Sequence, residues 1–259
     1  MERKPLNFSQ KGLIAEWVCS SASTEVIQLD CSLNIVVNLS HEPIQVLSTI
    51  PSQIPPFKST VLRNVRLSNV RSACLIEVGD DGAADDANYA RKLVASGYGW
   101  QNFADILPSY SRAIGLTRSQ QDEVGTITFD PADFLLSSPS SCSGDEKQYG
   151  HRAYDAGVMT YKVKLNLWFA PGGANCGIHQ RHDFMEIHTQ LIGIGRMQKF
   201  QAEEHSSIYE DVWLARGQTH EPIAILQHNG TFSYPWHQYY AENDCVWLAV
   251  EYHSNKDAA

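Results

Sequence analysis

Residues 158–169, VMTYKVKLNLWF, alternate throughout. Met159, Tyr161, Val163, Leu165, Leu167 and Phe169 share one parity, and Val158, Thr160, Lys162, Lys164, Asn166 and Trp168 share the other. A side-chain period of two is the signature of a strand with one buried face. The turn APGGAN ends it. Further strand-like runs follow at DFMEIHTQLIGIGRMQKF, IYEDVWLA, PIAILQH and CVWLAVEYH, separated by Gly, Asn, Pro or Glu/His-rich turns. Several strands at short spacing imply an antiparallel barrel or sandwich over residues 149–259.

Upstream the texture is mixed. Residues 26–50 are rich in β-branched side chains and break at Asn38–Pro43, which predicts two short strands around a turn, closed by Pro51, Pro55 and Pro56. Residues 59–78 add one or two more strands before the loop GDDGAADD. That loop lacks the ligand spacing of a calcium site and reads as a solvated turn. Residues 85–137 read as the helical part. Asp85 or Asp86 caps NYARKLVAS, and Trp100, Phe103, Ile106 and Leu107 keep helical spacing up to Pro108. Thr117–Gln120 has the form of a capping box, and Asp130-Pro131 opens a short helix. The polar stretch 137–150 reads as a linker. Residues 1–140 are therefore expected as an α+β region that completes the barrel, covers it as a lid, or pairs its edge strands with a second copy in a homodimer.

Composition narrows the partner. A 259-residue chain with 43% hydrophobic residues buries a substantial core, and a net charge of -9 without basic runs excludes nucleic acid and anionic membrane surfaces. A small-molecule partner is expected. The first apolar stretch, GLIAEWVC, is too short and polar for a secretory h-region, and no run approaches a membrane span, so a cytoplasmic location is expected. Six scattered cysteines without a C-x-x-C pair suggest free thiols.

The chemistry concentrates in the second half. His179, His182, His188, His220 and His237 sit beside strand signals there. If residues 180–190 are extended, Gln180, His182, Phe184, Glu186 and His188 share a face and His179 points away unless a turn or bulge re-aims it. A buried row of imidazole, carboxylate and imidazole is costly unless a divalent metal takes the lone pairs. The aromatic-rich YPWHQYY places His237 and Tyr239 where they could line a barrel mouth.

These motifs resemble those of the cupin superfamily, whose first motif spaces histidine, glutamate and glycine, and whose second contains Gly-x-x-His. Here His182, Glu186 and Gly193 keep the first spacing, and Gly217-Gln218-Thr219-His220 supplies the second. Gln180 stands where the family has the first histidine of its pair, with His179 one place off, and Ala215 stands where it has proline. The resemblance covers residues 158–259. It implies a mainly β fold, a double-stranded β-helix (jelly-roll) barrel beside the N-terminal α+β region. It also implies His182, Glu186 and His220 as metal ligands, with His179 or His188 completing the shell. The open positions of such a site suit Fe(II), with Mn, Ni or Zn as alternatives. The implied activity is that of a non-haem iron oxidoreductase of the dioxygenase kind. A redox-neutral isomerase, cyclase or lyase and a non-catalytic ligand-binding barrel are the alternatives. His188, Tyr239 and His237 are the candidate catalytic, proton-moving groups, and Arg196, Trp236 and Gln180 the candidate substrate contacts.

Overall fold

A computed structural model describes residues 1–10, 12–22, 25–78, 86–96, 99–102, 115–137, 157–227 and 231–254. The first part contains β1 (Glu2–Pro5), β2 (Leu13–Cys19), β3 (Val26–Gln28), β4 (Leu33–Asn38), β5 (Ile44–Leu47), β6 (Ser52–Ile54), β7 (Ser59–Leu62), β8 (Arg66–Ser68) and β9 (Ser72–Val78). They form two antiparallel sheets, ordered β1-β2-β9-β4-β7 and β3-β8-β5-β6. Counting from β2, the first strand pairs with the eighth and the second with the seventh, which is the order of a jelly roll. Strand β4 is apolar on both faces because both are covered: Ile35 and Val37 enter one core and Val36 another.

The rest of the chain repeats this order. After α1 (Asp86–Ala95) come β10 (Gln101–Asn102), β11 (Thr117–Arg118), β12 (Asp122–Phe129), β13 (Leu136–Ser137), β14 (Met159–Ala170), β15 (Met185–Ile192) and β16 (Gly195–Phe200). These are followed by β17 (Ile208–Leu214), β18 (Ile225–Leu226), β19 (Phe232–Ser233), β20 (Trp236–Ala241) and β21 (Cys245–Ser254). In one sheet β14, β21 and β15 are neighbours, and a bridge from Thr189 to Thr219 extends it. The facing sheet is β17-β16-β20, extended by bridges from Tyr240 to Asn175 and from His237 to His179. The second strand of this jelly roll is thus reduced to two isolated bridges and the sixth to one. Strand β12 pairs along the outer flank of β14.

The outward faces of the two long sheets belong to one apolar cluster. Ile35, Val37 and Ile76 of the first jelly roll join Leu165, Ile187, Leu248 and Val250 of the second. The Tyr252 hydroxyl donates to Leu39 O at 3.3 Å, and the Ser59 hydroxyl donates to Gly217 O at 2.7 Å. The two interiors differ sharply. Val18, Ile27, Leu29, Val36, Ile44, Val46, Ile54, Leu67 and Leu75 fill the first, whereas the second encloses polar side chains. In matching registers, Val36 opposite Leu75 corresponds to His188 opposite Ala249.

The strand expected at 158–169 is β14. The helical expectation fails beyond α1. Thr117–Arg118 is instead a short strand between β10 and β14, and the Ser119 hydroxyl and backbone are drawn into bonds with Leu167 on β14. Asp122–Phe129 is a strand whose alternation is hidden by a bulge at Gly125, φ 133°. Pro131–Asp133 is a single 3-10 turn, capped by the Asp130 carboxylate accepting from Ala132 N at 2.9 Å. The acidic loop before α1, the helical spacing from Phe103 to Pro108 and nearly all of the linker at 137–150 lie outside the described residues.

Candidate metal centre

Two backbone hydrogen bonds, each 2.9 Å, join His179 and His237 across the barrel wall. Residues directly opposite in such a pair project to the same face, so both imidazoles point inward. Residues 180–184 belong to no strand and bend at Asp183–Phe184, and His182 lies beside His179. The parity expected of a continuous strand therefore does not apply. Glu186 follows at the start of β15, where its backbone N–H donates to the Tyr234 hydroxyl at 3.1 Å. That hydroxyl in turn donates to Phe184 O at 2.7 Å and pins the turn.

The Nε2 atoms of the three histidines converge. His179 and His182 are 2.9 Å apart and His182 and His237 3.2 Å. The Nδ1 atoms of His179 and His237 each donate to a backbone carbonyl at 2.9 Å, Gly177 O and Pro235 O. Those two Nε2 atoms therefore carry lone pairs. Oε1 of Glu186 lies 3.4 Å from His182 Nε2 and 3.8 Å from His237 Nε2, buried and without a hydrogen bond.

Burial, reinforced by His237 and His182, depresses the His179 imidazole to about 3. Burial likewise lowers His182 against the pull of Glu186. For Glu186 burial opposes ionisation, and the surrounding imidazoles outweigh it, holding the carboxyl well below its usual range. With the His179 and His182 imidazoles depressed beside a buried carboxylate, the hollow is negative.

A divalent cation fits this donor set. Ligands at about 2.1 Å in adjacent coordination positions stand about 3 Å apart, as these nitrogens do. The cation would also take up the orphaned oxygen of Glu186. His179, His182, His237 and Glu186 are the group that could hold it. Cys176 lies 3.9 Å from His179 Nδ1, but burial pushes its thiol up to about 12, so it stays protonated.

His220 stands apart from this group. Its Nδ1 donates to Glu221 O at 2.6 Å, and its Nε2 accepts from the His188 backbone N–H and from the Tyr239 hydroxyl, both at 2.9 Å. Gly217, of the same motif, packs against Val61 of the first jelly roll. His188 packs against Tyr239 with ring centroids 4.0 Å apart and the planes tilted by 42°, and neither of its ring nitrogens has a hydrogen-bond partner. Burial lowers the His188 imidazole to about 4 and that of His220 to about 3.

The substrate contacts read from sequence lie elsewhere. Arg196 forks onto Asp211, binds Glu242 at 2.5 Å and lies over Trp213, which commits its guanidinium to the outer face of β16. Trp236 precedes His237 in β20 and takes the opposite, outward parity. Gln180 is exposed, between His179 and His182. Two roles were not read from the residues: His237 as a member of the converging group, and Glu251, the cross-strand partner of Glu186. The parity of His237 with Tyr239 was visible, but its neighbour His179 depended on a tertiary bridge.

No family model and no curated protein matches the chain. Solved structures do. A point mutant of Bacillus subtilis oxalate decarboxylase matches at 9% identity and TM-score 0.28, over 94% of this chain and 70% of that one. A cupin 2 conserved barrel domain protein from Leptotrichia buccalis matches at 9% identity and TM-score 0.28, over 97% and 88%. A cupin superfamily protein from Desulfitobacterium hafniense matches at 8% identity and TM-score 0.26, over 51% and 81%. All are cupin structures, the family the histidine motifs resemble. Likeness at this level decides neither ligand nor reaction.

Proposed function

We propose that the chain is a divalent-metal-dependent enzyme acting on a small molecule, and that its reaction is a non-haem Fe(II) oxygenation. The observation that carries the proposal is the convergence of three Nε2 atoms, from buried His237 and half-buried His179 and His182, beside the unpartnered Oε1 of Glu186. They lie inside one jelly roll whose twin is packed with aliphatic side chains. Three imidazoles and one carboxylate would hold such an ion, and iron bound there would supply electrons for dioxygen chemistry.

The chain's own groups do the rest. Tyr234 fixes the turn that carries Glu186, and the Gly177 and Pro235 carbonyls fix the rings of His179 and His237. His188, buried with both ring nitrogens unpartnered and Nε2 at 3.6 Å from Glu186 Oε2, would exchange a proton with a bound molecule in this reading. Tyr239 packs against that ring and its hydroxyl is itself held by His220. Anaerobic loading with Fe(II), followed by dioxygen uptake in the presence of candidate substrates, tests the reaction class. Substrate-dependent uptake is expected. Turnover that proceeds without oxygen would assign the site to redox-neutral isomerase, cyclase or lyase chemistry instead.

A further inference from the structure

Glu186 and Glu251 face each other directly across β15 and β21. Both are buried, at 4% and 8% exposure. Side chains so paired stand about 5 Å apart on the same face of the sheet, and like charges there oppose folding. Glu251 is no accident of the surface. His253 Nε2 donates to its Oε2 at 2.8 Å, and the Asn166 amide, oriented to satisfy its neighbours, donates to Oε1 at 3.3 Å while accepting from Trp168 Nε1. No described lysine or arginine forms an ion pair with either carboxylate. Lys199 is bound to Glu210 at 2.7 Å, Arg196 is committed to Asp211 and Glu242, and Lys164, the other cross-strand neighbour of Glu251, makes no ion pair with it.

Resting on the metal reading above, the charge count has a consequence. A divalent ion on three neutral imidazoles and Glu186 alone would carry one net positive charge and attract an anion. With Glu251 beside Glu186 that charge is cancelled. A further anion in this enclosed space would be uncompensated, which a low-dielectric interior penalises heavily. We infer that Glu251 is a specificity-determining residue that excludes anionic ligands, so that the substrate class is uncharged or cationic and reaches the metal through a neutral oxygen or nitrogen donor.

The test uses full-length protein loaded with Co(II), whose visible absorption reports ligand binding without turnover. At pH 8, acetate and imidazole are titrated into the wild type, E251Q and E251D. Removing the Glu251 charge is expected to tighten acetate binding by about tenfold or more, while imidazole changes by less than about twofold. E251D, which keeps the charge, should behave as the wild type. Acetate binding that differs by less than about twofold between wild type and E251Q overturns the inference. So does acetate that half-saturates the wild type below about 1 mM, a measurement that stands even if E251Q fails to fold. Absence of Co(II) bands in the wild type is a different failure, since it removes the metal centre itself and the inference with it.

Discussion

At the scale of single residues, the second jelly roll keeps its titratable groups in the charge state that suits metal binding, and stability registers this. His179, His188 and His220 are depressed to about 3, 4 and 3 by burial. In the unfolded chain they take up protons near 6.5. Between these limits the unfolded state binds more protons than the native one, so stability falls as pH drops below about 6.5 and continues falling toward about 4. The metal-free protein should therefore lose on the order of 1–2 kcal/mol for each such histidine between pH 7.5 and pH 5, read as a lower urea midpoint. A midpoint unchanged over that range would contradict the burial of neutral imidazoles. His182, Glu186 and His179 were visible in the sequence as residue types at informative spacing. The pairing of His237 with His179 was not, because it depends on two backbone hydrogen bonds between residues far apart in the chain.

At the scale of elements, the turns position the site as much as the strands do. Gly193, between β15 and β16, has φ 77°, and a Cβ there would collide with the Asp244 carbonyl oxygen. Gly173 has φ 84°, with nothing within 4 Å of a built Cβ. Both substitutions to alanine incur the left-handed penalty of about 1–2 kcal/mol, but only G193A also collides with backbone. G193A should lower stability by at least about 2 kcal/mol more than G173A in paired urea melts, and equal losses would contradict the turn geometry. The strands whose alternation was uninterrupted, β14 above all, were legible from sequence. Those that were misread had a local disguise: the bulge at Gly125 in β12, and a capping-box pattern whose serine bonds to a neighbouring strand. Local pattern cannot reveal where a donor finds its partner.

At the scale of the whole molecule, the two jelly rolls share one apolar seam, with Ile35, Ile76, Leu165, Ile187, Leu248 and Val250 all at 0% exposure. Neither long sheet could stand in water with that face bare. I187D should therefore unfold both halves in a single transition at a lower urea midpoint, whereas two separate transitions would show that the halves are independent. This repetition was hidden from sequence because the second copy reduces two strands to bridges and fills its interior with different chemistry. Equal folds with unequal interiors are what confine the histidine–carboxylate group to one of them. The central claim is that His237, rather than His220, completes the centre with His179, His182 and Glu186. Metal content of chelator-free preparations tests it most directly. Wild type and H220A should each retain about one equivalent of divalent metal, and H237A and H182A less than about a tenth. Metal retained by H237A but lost from H220A would contradict the account.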